Sequence, residues 1–110
     1  MKKNQTVSET QPKEMQKAMY LEDLLRRQIE KLRRYDLDGS LKLAEESDSV
    51  SRELVQNNVL GRPEFAQQRE KISSLYREIQ LVISSMRNEV SGKLDQIRTG
   101  IATLSKYVEK

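Results

Sequence analysis

The sequence contains no cysteine, no histidine and no tryptophan, and the first two absences exclude several kinds of chemistry. Without cysteine the chain can form neither a disulfide nor a thiolate metal site. Without histidine it lacks the side chain that most often transfers protons near neutral pH. It also has no Gly-rich phosphate loop and no G-x-S-x-G nucleophile elbow. The sequence therefore predicts a protein that is not an enzyme and that needs no cofactor or metal.

Glycine, proline and large aromatic residues are scarce as well. The chain of 110 residues has four Gly, two Pro and one Phe, whereas charged residues make up 34% of it and hydrophobic residues 35%. Few Gly and Pro residues favour helices over turns and linkers. A single Phe in so short a chain predicts a thin core, like the seam of a helical bundle. We expect one all-α domain over residues 1–110, an antiparallel helical bundle of three helices.

Long hydrophobic runs are absent too. No run approaches the roughly 20 apolar residues that a membrane-spanning helix needs. The basic start Met1-Lys2-Lys3 is followed by polar residues, where a signal peptide would have its apolar stretch. We therefore expect a cytoplasmic protein without a membrane span.

Apolar spacing and capping residues predict the first two helices. Residues 1–12 are polar and unpatterned, which predicts a mobile arm. Apolar residues at spacings of three and four predict a first helix over residues 13–35. The turn-forming residues 36–40 predict a tight break, with Asp38 or Ser40 capping a second helix over residues 40–58.

A third, longer pattern follows a Gly/Pro turn. Gly61 is expected to take a left-handed conformation, and Pro63 to begin the next helix. The apolar residues then predict one long helix over residues 63–108. Two successive steps of four around Val90 shift the phase like a stutter, so this helix is expected to project or to fold back near Gly92.

The two upstream helices are too short to cover all of this pattern. Its distal part therefore needs a partner, and we expect it to bind one. The predicted partner-binding stripe consists of Val90, Leu94, Ile97, Ile101, Leu104 and Val108. Two ordinary interpretations stay open, because the same residues suit the buried seam of a folded-back fourth helix or of a homodimeric coiled coil.

Two further motifs favour ordinary explanations. The spacing of Asp38, Gly39 and Glu45 matches part of an EF-hand calcium loop, but Arg34 stands where the first carboxylate ligand belongs, so a helix break is favoured. Residues 26–34 carry five positive charges, which would suit phosphate contacts. With no aromatic ladder and no recognisable nucleic-acid-binding signature beside it, this basic patch is expected to be a solvated face and not a nucleic-acid site.

The order and lengths of these segments resemble a known family, the small cytoplasmic export chaperones of bacterial flagella of the FlgN and FliT type. The resemblance covers about residues 15–110. It rests on an acidic break after the first helix (residues 34–38), the pattern Leu41-x-Leu43-Ala44-Glu45-Glu46-Ser47-Asp48, a Gly/Pro turn and a closing segment ending Ile101-Ala102-Thr103-Leu104-Ser105-Lys106-Tyr107.

The resemblance implies a function. Chaperones of this type hold unassembled secreted subunits of the flagellum, shield the helical ends with which these subunits polymerise, and deliver them to the export apparatus. On that basis the partner-binding stripe is expected to face a helical client. The alternative is a structural protein that forms a homodimeric coiled coil without a client.

Overall fold

The computed structural model describes the backbone of residues 2–86 and 91–105, and the side chains of residues 13–86 and 92–105. Every regular element in this part of the chain is a helix, which confirms the predicted all-α class. It holds four α-helices, which are α1 (Lys2–Arg33), α2 (Leu37–Gln56), α3 (Ala66–Ser84) and α4 (Ser91–Gly100). A 3-10 turn at Pro63–Phe65 precedes α3, and another at Ala102–Leu104 follows α4.

The first helix starts earlier than the sequence predicted. Its backbone is helical from Lys2, whereas a mobile arm was expected over residues 1–12 and a helix over residues 13–35. Extending an existing helix adds one hydrogen bond per residue and needs no new nucleus. A polar segment can therefore continue α1 without an apolar pattern of its own.

The connection between α1 and α2 is a tight turn that places Tyr35 in the left-handed region. Tyr35 has a φ of 60°. Its N–H donates to the Leu32 carbonyl at 2.9 Å and the next N–H, of Asp36, donates to the Lys31 carbonyl at 2.8 Å, which is the Schellman pattern of helix ends. Asp36 also caps α2 in place of the predicted Asp38 or Ser40, so α2 spans Leu37–Gln56 and not residues 40–58.

The end of α2 repeats this pattern at a residue that the sequence did not single out. Asn58 has a φ of 53°, while no glycine in the described residues has a positive φ. The N–H of Val59 donates to the Leu54 carbonyl at 2.9 Å. The expectation that Gly61 adopts the left-handed conformation is therefore wrong, because Asn58, whose polar side chain tolerates that conformation, ends the helix first.

The long helix predicted over residues 63–108 is not continuous. It is replaced by the 3-10 turn at Pro63–Phe65, by α3 and by α4, and α3 ends at Ser84, before the expected change of direction at Gly92. The hydroxyl of Ser85 donates to the Val82 carbonyl at 2.7 Å, which competes with the continuing helix. Turning back also buries aliphatic residues that a straight helix would leave in water.

Side-chain pairs establish how the helices run. The pairs are Lys17–Glu53 and Gln28–Ser47 between α1 and α2, Glu14–Arg62 and Arg33–Glu78 along α1, and Asp38–Lys93 and Asp48–Thr103 along α2. The first set shows that α1 and α2 are antiparallel. The second set, Glu14–Arg62 and Arg33–Glu78, shows that the chain runs parallel to α1 from Arg62 through α3. The third shows that α4 runs parallel to α2, so the chain reverses direction between α3 and α4.

All four helices contribute to one apolar core. Leu21, Leu25 and Leu32 of α1 lie in it with Phe65, and the α3 side is formed by Ile72, Ile79 and Ile83. α1 packs against both α2 and α3, and α4 packs against α2. Among the described residues, no helix combines the length and the apolar character that crossing a membrane requires.

Candidate functional site

The predicted partner-binding stripe lies largely inside the molecule. Ile97, Ile101 and Leu104 have no exposed surface and Leu94 is 4% exposed. All four belong to the same core cluster as the other helices. Val90 and Val108, the two remaining residues of the stripe, lie outside the described residues. The chain therefore brings four of the six residues together on one face of α4 and of the turn after it, and this segment packs against α2.

The contact between α4 and α2 is closest at Gly100. A Cβ atom placed on Gly100 would lie 3.0 Å from the Ala44 Cβ and 3.3 Å from the Ala44 carbonyl oxygen. Such distances are shorter than ordinary van der Waals contacts, so the glycine permits this approach. A Cβ atom placed on Gly92, at the other end of α4, would have no neighbour within 4 Å. The two glycines of α4 therefore differ in what they do, and only Gly100 sets the distance between the helices.

The buried residues of α2 are small over most of its length. They are Ser40, Ala44, Ser47 and Ser51, followed by Leu54. Ser47 accepts a hydrogen bond from the Gln28 side chain of α1 at 3.1 Å and donates to the Ala44 carbonyl at 3.0 Å. The hydroxyls of Ser40 and Ser51 are buried without a hydrogen-bond partner among the described residues. This side of the core holds less apolar surface than a leucine seam would.

Polar contacts at the rim of α4 add little. The Lys93 ammonium lies 2.5 Å from an Asp38 carboxylate oxygen, and the Thr103 hydroxyl donates to Asp48 at 2.9 Å. Asp38 is largely exposed, and exposed ion pairs contribute about 0–1 kcal/mol. The four buried aliphatic side chains and the close approach at Gly100 therefore hold α4 in place.

The basic patch at residues 26–34 is mostly neutralised by neighbouring carboxylates. The ion pairs are Arg26–Glu22, Arg27–Asp23, Lys31–Asp36 and Arg33–Glu78. In the described part of the chain, only Arg34 of this patch has no such pair. Two of these pairs lie within α1, one reaches the turn after it, and Arg33–Glu78 joins α1 to α3.

A second surface, which the sequence did not predict, lies where α1 ends beside the end of α3. Tyr35 is 57% exposed and Leu81 is 70% exposed, and both line a groove of about 440 Å³. The only signal in the sequence was that Leu81 lies off the apolar stripe of the third helix, which runs through Ile79 and Val82. A leucine outside the core-facing stripe is free to face solvent.

Two side chains that join helices have shifted pKa values. The backbone N–H of Gly39 donates to Asp36 at 3.0 Å. This bond, helped by Lys31 and opposed by desolvation, lowers the pKa of Asp36 below its usual 3.8. The Tyr20 hydroxyl donates to Glu46, and this bond is the main cause that raises the pKa of Tyr20 above 10.0. Tyr20 thus connects α1 to α2, and Asp36 caps α2.

These features define a small all-α protein in which a short helix, α4, covers part of α2. Comparisons with protein-family models, with curated proteins and with solved structures find no match. The function therefore has to be inferred from the contacts of α4.

Proposed function

We propose that the protein is a small helical binding protein of the export-chaperone type, which shields an amphipathic helix of a secreted flagellar-type subunit and hands it to an export apparatus. In this proposal α4 occupies the client's place in the free protein. The client helix displaces α4 from α2, and the aliphatic residues that α4 then releases cover the other side of the client.

The observation that carries the proposal is the way in which α4 packs. It is a helix of 10 residues, shorter than the roughly 12–15 residues below which an isolated helix is marginal in water. Its order therefore depends on its contact with α2. Since that contact is made by one amphipathic helix that packs closely on Ala44 of α2, a second amphipathic helix of similar pattern fits the same place.

Two opposing energies bear on this exchange. Burial of the four aliphatic residues of α4 and of the turn after it contributes about 1.5–3 kcal/mol each before the cost of ordering the segment. Ordering the backbone of the segment opposes this gain, at about 1–2 kcal/mol per residue. A client helix that is longer than α4 gains more apolar contact and displaces it.

The contact also defines the chemistry of the client. It should carry aliphatic residues at the spacing of Leu94, Ile97, Ile101 and Leu104, and a glycine at the point that faces Ala44. Helical ends of polymer-forming subunits have this amphipathic character, which agrees with the flagellar resemblance of the sequence.

The homodimeric coiled coil remains a prediction with less support. It would use the same side chains of the stripe, and the single chain already buries four of them on α2. A dimer of this kind would need α4 to leave α2 before any partner is gained.

A disulfide that locks α4 onto α2 tests the proposal. Asp48 and Thr103 touch through side-chain oxygens 2.9 Å apart, so cysteines at these positions face each other across the contact. Because the chain has no other cysteine, the bond formed by Asp48→Cys/Thr103→Cys is unique. The oxidised and reduced protein are each used to capture proteins from a lysate of the source organism.

The reduced protein should retain a secreted, polymer-forming helical subunit that the oxidised protein loses. Equal retention in both states would show that the client does not need the place of α4. Failure of both states and of the wild type to retain such a subunit would refute the chaperone function itself. The variant Asp48→Ser/Thr103→Ser, which forms no disulfide, is the matched control and should behave like the reduced protein.

A further inference from the structure

The groove between the end of α1 and the end of α3 has the properties of a second binding surface. It is lined by Leu32, Arg33, Tyr35, Glu78, Leu81, Val82, Ser85 and Met86. Val82 and Met86 are half-buried at the edge of the core and Leu81 projects into water. Apolar side chains thus form most of the lining, with Arg33, Glu78 and Ser85 among its polar members. Lining of this kind is typical of surfaces that take an apolar helix or peptide.

Tyr35 is held in a backbone conformation that a tyrosine disfavours. Its φ of 60° lies in the left-handed region, where Gly or Asn would avoid contact between Cβ and the backbone. Asn58 ends α2 in the same conformation, so the fold obtains this turn elsewhere with a residue that suits it. A strained residue with an exposed aromatic ring at the edge of a groove indicates a role for the ring.

The charges beside the groove select the partner. Two residues of the lining, Arg33 and Glu78, form an ion pair at 2.7 Å, so their charges cancel. Arg34 and Arg77, their neighbours in the chain, are exposed and have no ion-pair partner in the described residues. Glu30, one turn before Arg34 on α1, is also exposed and has no ion-pair partner in the described residues. The unpaired charges near the groove are thus two positive and one negative, and an acidic partner complements the excess of positive charge.

We propose that this groove binds an acidic amphipathic helix of a partner protein. Leucine-like side chains of the partner cover Leu81, Val82 and the ring of Tyr35, and its carboxylates pair with Arg34 and Arg77. The apolar lining favours a protein over a nucleic acid, which would need stacking platforms and several free cations. The groove lies on α1 and α3, whereas α4 packs on α2, so this inference does not depend on the exchange of α4.

A designed peptide serves as the probe. It is an amphipathic helix of about 15 residues, long enough to be helical, with leucine at helical spacing on one face and glutamate and alanine elsewhere. A second peptide carries lysine in place of glutamate. Each is added to the isotopically labelled full-length protein, and amide NMR shifts are followed. We expect the acidic peptide to shift residues 33–35 and 78–86, and the basic peptide to bind at least about tenfold more weakly.

Variants separate binding from folding. Leu81→Ser and Tyr35→Gly should each weaken the acidic peptide at least about tenfold, the loss expected when an anchor side chain is removed. Tyr35→Gly should at the same time raise the urea midpoint of unfolding, because it relieves the left-handed strain. Met19→Ser, at an exposed apolar residue of α1 outside the groove lining (56% exposed), should change neither affinity nor fold.

Three results would overturn the proposal. The first is the absence of shifts at the groove with the acidic peptide. The second is equal affinity for the basic peptide. The third is a set of concentration-dependent shifts at the groove without any peptide, which would identify a second copy of the chain as the occupant.

Discussion

At the scale of single residues, the two glycines of α4 show how one side chain fixes a helix contact. A methyl group on Gly100 would lie 3.0 Å from the Ala44 Cβ, closer than an ordinary van der Waals contact, whereas Gly92 faces open space. Both are helical positions without positive φ. The sequence allowed only the general statement that each weakens a helix, because the neighbour of a glycine is set by the fold.

The two glycines therefore give opposite predictions. Gly100→Ala should lower the free energy of unfolding by about 1–3 kcal/mol, since its methyl group overlaps Ala44 and forces the helices apart. Gly92→Ala should leave it unchanged or raise it by up to about 1 kcal/mol, because alanine is the better helix former. Urea unfolding followed by circular dichroism measures both, and a loss at Gly92 as large as that at Gly100 would contradict this account of the contact.

Asp36 makes a residue-scale prediction about pH. Its pKa in the folded protein is lowered below 3.8 by the bond from the Gly39 N–H. In acid the unfolded chain therefore binds more protons than the folded chain. The stability that Asp36 contributes is fully present above its unfolded pKa and is lost as the pH falls through the folded pKa.

Asp36→Asn keeps an acceptor at the cap but cannot titrate. The variant should lose less stability than the wild type between about pH 4 and pH 2. Urea midpoints at a series of pH values measure this, and parallel curves for the two proteins would show that Asp36 does not contribute.

At the scale of elements, the apolar periodicity predicted which residues are buried better than it predicted where helices end. Leu94, Ile97, Ile101 and Leu104 share one buried face, as their spacing requires. The break after Ser84 was not predicted, because the apolar spacing continues through Met86 and carries no sign of it. The break follows from tertiary contacts: α2 offers a place to bury α4, and no local signal reports that.

Tertiary contacts also determine which surfaces of the molecule are covered and which are exposed. The resemblance and the spacing both placed the binding residues on the distal stripe, and the spacing left open that a folded-back fourth helix buries them within the chain. The Tyr35 groove was missed because a left-handed tyrosine has no signature in a sequence; glycine is the residue that normally marks this conformation.

An element-scale prediction concerns Ile97, at the centre of α4. Ile97→Ala should destabilise the docked α4 by about 2–5 kcal/mol, the usual cost of truncating a buried isoleucine. Because the proposal makes α4 separable from the rest of the fold, the variant should lose the helical signal of α4 while α1 to α3 stay folded. Thr99→Ala, at an exposed position of the same helix, should have little effect.

Amide NMR shifts locate the change in each variant. A collapse of α1 to α3 in Ile97→Ala would show that α4 belongs to the cooperative core and cannot be exchanged. An undisturbed α4 in the same variant would show that Ile97 does not hold it.

At the scale of the whole molecule, α1 connects two different surfaces. It has 32 residues, or about 48 Å at 1.5 Å per residue, and it forms the long axis of a molecule that measures 58 × 27 × 19 Å. It packs against α2, which carries α4, and against α3, with which it forms the Tyr35 groove. The two proposed partners would therefore approach different faces, so the two proposals do not exclude each other.

The central claim is that α4 occupies the place of a client helix, and hydrogen exchange of the full-length protein tests it most directly. Amides of residues 91–105 are compared without and with the client subunit that the reduced, unlocked protein captures. The account predicts that α4 amides exchange faster when the client is bound, while amides of α2 keep or gain protection. Unchanged protection of α4 in the complex would contradict the claim, because the client would then bind without displacing it.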